Sequence, residues 1–503
     1  MSPQIAALLL APLGWAVLGW AFLGCFGCSR LQPQKTALDQ LKPCVSGEGP
    51  SDAYCGKLRV WEDRTAKAGR QIGLKIVVLP ALRRDAAPEP LFFLAGGPGQ
   101  GAAKLARMIK ETFQIIQQDR DIVLVDQRGT GDSGGLECKP ASESLDEDPE
   151  KGIEKLRTCV KQYEVDLRLY TTPLAMDDLD DVRQFLGYER INLYGGSYGT
   201  RAAMVYTRQY PSRVRAVALD GVAPPDMRLP LYMARDGQRA LNLLVRDCQQ
   251  DPACRKRFPD LGKRLDALLG RLESKPPRVK VTHPRTGEEE EITVRRWMVA
   301  GALFGALYAS QSSALLPLLL ERAEKNDFQG LLALASITEG IMENMSQGMH
   351  FSVVCSEDAP RIEPSQIPEV TKGTFFGREI AEYRLKPCEF WPRGQVEASY
   401  YEPVRSNVPA LILSGDLDPV TPPSWGEEVA RYWTGARHVV VPGTGHGTIG
   451  SGCVMRLLRE FLSKGSASDL KLDCVEKVRR APFFISPSGP DPGGSTAGKD
   501  SRK

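Results

Sequence analysis

The chain has 503 residues, of which 42% are hydrophobic, enough for a sizeable core in one large domain with an insertion or in two domains. Lys and Arg number 65 against 62 Asp and Glu, so the formal charge is only +3, which argues against a nucleic-acid binder. There are 4 His, and no His or Cys cluster has metal-ligand spacing, so no zinc site is expected.

From Met1 to Ser29 there is no charged side chain, and the first charge is Arg30. Residues 1–28 are expected to be a signal peptide or lipoprotein signal, with Ile5 to Gly24 as its apolar region. Phe22-Leu23-Gly24-Cys25 resembles a bacterial lipoprotein cleavage box, which would put lipid on Cys25 and anchor the protein to a membrane. Phe22 departs from the usual Leu there. Setting aside Cys25 and Cys28, the other cysteines fall into near neighbours in sequence. The simplest pairing is Cys44–Cys55, Cys138–Cys159, Cys248–Cys254, Cys355–Cys388 and Cys453–Cys474. Such a chain belongs in an oxidising, extracytoplasmic compartment: periplasmic, membrane-anchored or secreted.

Residues 29–56 read as an exposed lead-in, and residues 57–225 as the first part of an α/β core. Ile72 to Leu79 is predicted as a strand. Leu91 to Ala95, continuously apolar, is a second strand, buried on both faces. Gly96-Gly97-Pro98-Gly99 ends it, and a helix follows to Ile116. Ile122 to Val125 is a short buried strand. A helix is predicted from about Pro173 to Leu186, with Thr172 as N-cap and Gly187 as its stop. Ile191 to Tyr194 is a strand, a helix runs on to Tyr210, and Val214 to Leu219 is another strand. Strands alternating with helices indicate a mostly parallel sheet covered on both faces. Residues 226–405 read as a mainly helical cap with a hairpin around Thr286-Gly287. The core resumes over 406–480, with strands at Val408 to Leu413 and His438 to Val441 and helices at Trp425 to Trp433 and Met455 to Leu462. Residues 481–503 read as a disordered tail.

The pattern G-x-S-x-G occurs twice. Gly131-Asp132-Ser133-Gly134-Gly135 looks like the nucleophile segment of chymotrypsin-like proteases, but every His lies downstream of it and no helix follows, so Ser133 is read as part of a loop. Gly195-Gly196-Ser197-Tyr198-Gly199 joins a buried strand to a helix, which lifts Ser197 above the sheet and aims the Tyr198 N–H at an oxyanion. A nucleophile needs a base and a group that orients the base. In this fold the order is Ser, acid, His. His446 follows the last strand and is the expected base. Asp418 is preferred as the acid over Asp416, with Asp220 third. Gly97, after the early strand, is the expected second oxyanion donor.

In these pieces and their order the sequence resembles the α/β-hydrolase peptidases of the proline iminopeptidase and tripeptidyl aminopeptidase group. The matching segments are Gly96-Gly97-Pro98-Gly99, Asp126 to Ser133, Gly195 to Thr200, Gly415 to Pro422 and Gly445-His446-Gly447, spread over about 57 to 480. The resemblance implies an exported tripeptidyl-aminopeptidase-like enzyme whose cap narrows the cleft. Ala95 departs from it, since proline iminopeptidases often carry His there, and their usual cap motif for the peptide amine is not found. The reading is a serine exopeptidase acting on peptide substrates with no cofactor: Ser197 attacks, His446 moves the proton, Asp418 orients the imidazole, and Gly97 and Tyr198 hold the oxyanion. Glu357 and Asp358 are expected to meet the substrate ammonium group, the alternative being that both are ordinary solvated charges. The rival functions are a carboxylesterase of the same fold and a lipid-anchored binding protein without turnover.

Overall fold

The computed structural model describes residues 37–46, 52–138, 145–146, 148–343 and 345–491. The expected export signal and Cys25 lie outside the described residues. Nine strands form one sheet: β1 (Lys42–Cys44), β2 (Ala53–Trp61), β3 (Gln71–Leu79), β4 (Leu91–Leu94), β5 (Ile122–Val125), β6 (Ile191–Gly196) and β7 (Val214–Asp220) in the first half, with two more after the cap. The cap's hairpin is β8 (Arg278–Thr282) and β9 (Glu289–Thr293), turning through Thr286-Gly287. The sheet then closes with β10 (Ala410–Gly415) and β11 (Ala436–Val441). The order is β1-β2-β3-β5-β4-β6-β7-β10-β11. The edge from β1 to the β3–β5 pair is antiparallel, and from β5 to β11 all neighbours are parallel.

Alternation along the strands sorts side chains to the two faces. Phe92, Leu94, Val123 and Val125 pack on one side with the helices Thr172–Phe185 and Tyr198–Gln209. Leu91, Phe93, Ile122 and Leu124 pack on the other with the helices Ala106–Thr112 and Val454–Lys464. Because both faces are covered, β4, β5 and β10 carry no polar stripe, which is why they read as apolar runs. The parallel strands all present their C-terminal ends at one edge, and the loops that leave that edge carry the candidate site.

The cap has a hydrophobic cluster of its own, built around the helices Met233–Gln250, Leu261–Ser274 and Arg296–Leu307. The later part of the expected cap behaves differently. Met349, Val353, Val354, Cys355 and Trp391 join the cluster on the core sheet, so this stretch is packed as core. Three further expectations change. Strand β2 begins at Ala53, inside the expected lead-in, and pairs with β3 from Tyr54 to Trp61. The N-cap is Thr171, one residue earlier than expected, and Thr172 turns its hydroxyl to Glu357 instead. Of the expected tail, residues 481–491 are described, and Phe483 is buried in the cap cluster while the Phe484 N–H donates to Ala314 O. Aromatic burial outweighed the Pro and Ser content there.

All five expected cysteine pairs are disulfides. A buried ion pair joins the β5 loop to the helix over the sheet: Arg128, fully buried, donates from Nε and Nη2 to both oxygens of Asp178 at 2.7 and 2.8 Å. Arg128 also donates to the carbonyls of Glu62 and Leu169. Removing Arg128 takes away the bidentate partner of the buried Asp178 and leaves it only the single contact from the partly exposed Arg64 at 2.9 Å, so Arg128→Met is expected to cost about 3–5 kcal/mol of stability. Chemical denaturation of the disulfide-intact protein checks this, and a loss below about 1 kcal/mol would contradict it.

Candidate active site

Ser197 lies between β6 and the helix Tyr198–Gln209 with φ +56° and ψ −126°, a region that side-chain-bearing residues rarely occupy. Strain of this kind costs about 1–3 kcal/mol and persists only where the surroundings enforce it. Here they do. The Ser197 N–H donates to Asp220 O at 2.9 Å, and Thr200 donates to Ser197 O from both its N–H and its hydroxyl. The turn also requires its glycines, since a Cβ on Gly195 would come within 2.2 Å of Gly199 O, and one on Gly199 within 2.1 Å of Leu94 O. Tyr198 opens the helix, so its N–H has no intrahelical acceptor.

The glycine loop after β4 faces this turn. A Cβ on Gly96 would stand 3.2 Å from the Ser197 Cβ, which brings the loop into contact with the nucleophile position. Gly97 has φ +108°, a conformation open to glycine. The loop is held from the other side by the segment before and within the helix Gln347–Val353: Ser346 N–H donates to Gly99 O, and His350 Nδ1 is 3.2 Å from Pro98 O.

The candidate acid and base come from the loops after β10 and β11. Asp418 is fully buried, and its Oδ2 is 2.8 Å from His446 Nδ1. Thr421 Oγ1 donates to the same oxygen, and the N–H groups of Val420 and Thr421 donate to Oδ1. Burial pushes the Asp418 carboxyl up, but the His446 charge and these donors outweigh it and hold it below its ordinary value. Burial likewise pushes the His446 imidazole down, and the adjacent Asp418 carboxylate reverses this, leaving it above the ordinary 6.5. The backbone N–H of His446 donates to the Tyr308 carbonyl at 2.7 Å, and the two rings meet edge to face at 5.2 Å, so a cap residue fixes the candidate base.

The other two carboxylates do different work. Asp416 reaches across to the loop after β11, accepting from Thr444 N–H, while its carbonyl accepts from Arg239. Asp220 accepts from the N–H groups of Thr448 and Ile449 and from the Tyr194 hydroxyl, and so pins the loop just after His446 to the end of β7. Ser133 is buried, donating to Asp126 O and accepting from Lys75 N–H, both at 2.7 Å. Its hydroxyl is a structural tie. The remaining histidines also have local duties: His283 accepts from N–H groups of its hairpin turn, and His438 meets the Ser414 hydroxyl at 2.9 Å.

Glu357 and Asp358 do not fit the expected amine site. Both are fully buried in the segment Val354–Asp358, below the helix that begins at Tyr198. Glu357 accepts from the Thr172 N–H, the Thr172 hydroxyl and the Tyr400 hydroxyl. Asp358 pairs with the fully buried Arg201 at 3.1 Å. A substrate ammonium finds no open face on either group. Sequence reasoning missed Arg201 and Thr172, because neither a lone Arg in a helix nor a Thr beside a Pro carries a local signal of its buried partner.

A family model described as "TAP-like protein" matches residues 373–474, and one described as "alpha/beta hydrolase fold" matches residues 89–285. The chain is 25% identical over 522 residues to "Serine protease Hip1" of Mycobacterium tuberculosis, covering 94% of this chain and 98% of that protein. It is 23% identical over 471 residues to "Tripeptidyl aminopeptidase" of Streptomyces coelicolor, covering 86% and 85%. Among solved structures, an esterase from Thermogutta terrifontis aligns with a TM-score of 0.35 at 16% identity, covering 82% of this chain and 99% of that one.

The arrangement makes a definite pH prediction. A base must be neutral to accept a proton, and His446 is neutral only above its raised pKa, so kcat/KM should climb with pH through a midpoint above 6.5. Asp418→Asn removes the group that raises it, so the midpoint should move to lower pH while the rate falls about 10³–10⁴-fold. Asp416→Asn should cost far less. A pH–rate profile in which Asp416→Asn is the worse variant would overturn the acid assignment. Ser133→Ala, by contrast, should lower the melting temperature and spare most activity.

Proposed function

Because this chain belongs to the TAP-like α/β-hydrolases, we propose that it is an exported serine exopeptidase that cleaves peptides near their N-terminus, in the manner of a tripeptidyl aminopeptidase or a proline iminopeptidase. That it is a serine hydrolase follows from its fold and its relatives. The observation that carries the reading is the contact of Asp418 with His446 Nδ1 beside the strained Ser197 turn.

With Nδ1 committed to Asp418, Nε2 is the nitrogen left to take the Ser197 proton as Oγ attacks the scissile carbonyl. The N–H groups of Tyr198 and Gly97 take up the negative charge on the carbonyl oxygen. His446 then gives its proton to the departing amine, which leaves an acyl enzyme on Ser197. Water, deprotonated by His446, attacks the acyl carbon and regenerates the serine. Strain at Ser197 keeps Oγ at the sheet edge before substrate arrives, so little reorganisation is needed at the reacting atoms.

Disulfides in all parts of the described chain support export to an oxidising compartment, with Cys25 as the expected lipid-anchor position. Since Glu357 and Asp358 are occupied, recognition of a free α-amine falls to other groups. The test is a panel of aminoacyl, dipeptidyl and tripeptidyl fluorogenic amides, free and N-blocked. The expectation is cleavage of free-amine substrates, loss of the signal on N-blocking, and loss of all turnover in Ser197→Ala by several orders of magnitude. Turnover of simple esters with no amide cleavage would favour the esterase reading, and full activity in Ser197→Ala would overturn the nucleophile.

A further inference from the structure

Beyond the last helix, Val454–Lys464, the chain crosses from the core to the cap. Cys474, Val475 and Val478 pack with the core cluster that contains that helix, and Cys474 is bonded to Cys453. Phe483, Phe484 and Ile485 pack in the cap cluster instead, where the Phe484 N–H donates to Ala314 O at 3.1 Å. Arg480 sits at the crossing. Its Nε donates to Asp247 Oδ2 at 2.9 Å, on the cap helix Met233–Gln250, and its Nη1 donates to Ser313 Oγ at 3.0 Å. The guanidinium also lies 5.4 Å from the centre of the Phe483 ring, so one side chain joins the crossing to two cap elements and to its own apolar anchor.

The loop that carries His446 is in contact with this crossing at both ends. A Cβ on Gly443 would come within 2.1 Å of Arg480 N, and one on Gly452 within 2.8 Å of Val478 Cγ2. The same loop meets the cap, since a Cβ on Gly445 would stand 2.2 Å from the Tyr308 carbonyl oxygen that accepts the His446 backbone N–H. Tyr308 and Ala309 lead directly into the short helix Ser310–Ser313, whose last residue is the one Arg480 holds. Ser313 is itself tied back, its N–H donating to Ala309 O and its hydroxyl to Ser310 O. The contacts therefore close a circuit from the His446 loop through Arg480, Ser313 and Tyr308 back to His446. We propose that residues 474–485 form a strap that positions the His446 imidazole, with Arg480 as the positioning residue that locks the strap to the cap. Asp220 ties the loop to the strands, and the strap ties it to the cap stretch that receives the His446 N–H. A misplacement of about 1 Å between base and nucleophile can lower a rate by about 10²-fold. The proposal rests on the reading of His446 as the base that activates Ser197.

The experiment follows hydrolysis of a neutral p-nitrophenyl ester by the full-length, disulfide-intact protein, with kcat referred to the sites that a fluorophosphonate labels at completion. In Arg480→Met, kcat should fall about 10–100-fold while KM stays within about 3-fold of the unaltered value. Arg480→Lys keeps a cation for Asp247, so its kcat should stand at least about 3-fold above that of Arg480→Met. Ser313→Ala removes one contact only and gives the same direction of change if the methionine variant does not fold. Arg437→Met is the control. Arg437 also ties down the chain after the last helix, donating to the carbonyls of Ala467, Ser468 and Leu470, but from the far end of β11. Its loss should lower the melting temperature and leave kcat within about 2-fold. A kcat unchanged in each of the Arg480 and Ser313 variants that folds, or a fall matched by Arg437→Met, would overturn the proposal. His446→Ala, run beside them, separates the two claims. Full turnover there would defeat the base assignment and the strap with it, whereas an inactive His446→Ala beside a fully active Arg480→Met would defeat the strap alone.

Discussion

The sharp backbone turn at Ser197 is the constraint around which the site is arranged. A residue with a side chain is held at φ +56°, and that conformation is available only because β6 ends in two glycines and the next helix opens with Tyr198-Gly199. Gly199 presses against the carbonyl of Leu94 at the end of β4, so the turn and the glycine loop cannot move independently. Asp220 ties both halves of the fold to it: its carbonyl accepts the Ser197 N–H, and its carboxylate accepts from the loop after His446. The candidate nucleophile, base and oxyanion loop are thus referenced to one contiguous set of parallel strands, whose register is set by a core buried on both faces.

Buried charge supports this turn from below. Glu357 can only accept from Thr172, which makes the Thr172 hydroxyl the acceptor for the Tyr198 hydroxyl at 2.7 Å. The chain of donors therefore runs from Tyr198 through Thr172 to Glu357, and it orients the residue that supplies an oxyanion N–H in the proposed mechanism. Arg201, one turn further along the same helix, is balanced by Asp358 and by the nearby Glu357. Cys355, two residues before Glu357, is bonded to Cys388, which anchors the segment that carries both carboxylates. Burying these groups is expensive unless every one is paired, and the pairing explains why the segment belongs to the core.

Much of this was legible in the sequence, for identifiable reasons. Buried strands such as Leu91–Leu94 and Ile122–Val125 are short apolar runs between turn residues, and Ser197, Asp418 and His446 each follow such a run. Cysteine spacing sufficed because each bridge closes a short loop. Strand β2 escaped because Lys57 and Arg59 on its open face and Gly56 at its centre disguise the alternation of Leu58 and Val60. Glu357 and Asp358 were misjudged because acidic residues are usually exposed, and only the fold brings Arg201 and Thr172 against them.

The central claim is that one serine, activated by His446 and Asp418, performs the chemistry. Labelling the intact protein with a fluorophosphonate and mapping the modified peptide by mass spectrometry tests it most directly. The account predicts a single adduct on the peptide containing Ser197, formed quickly in the unaltered protein and slowed by orders of magnitude in His446→Ala. An adduct on another serine, Ser133 included, or labelling at Ser197 that is indifferent to His446, would contradict it.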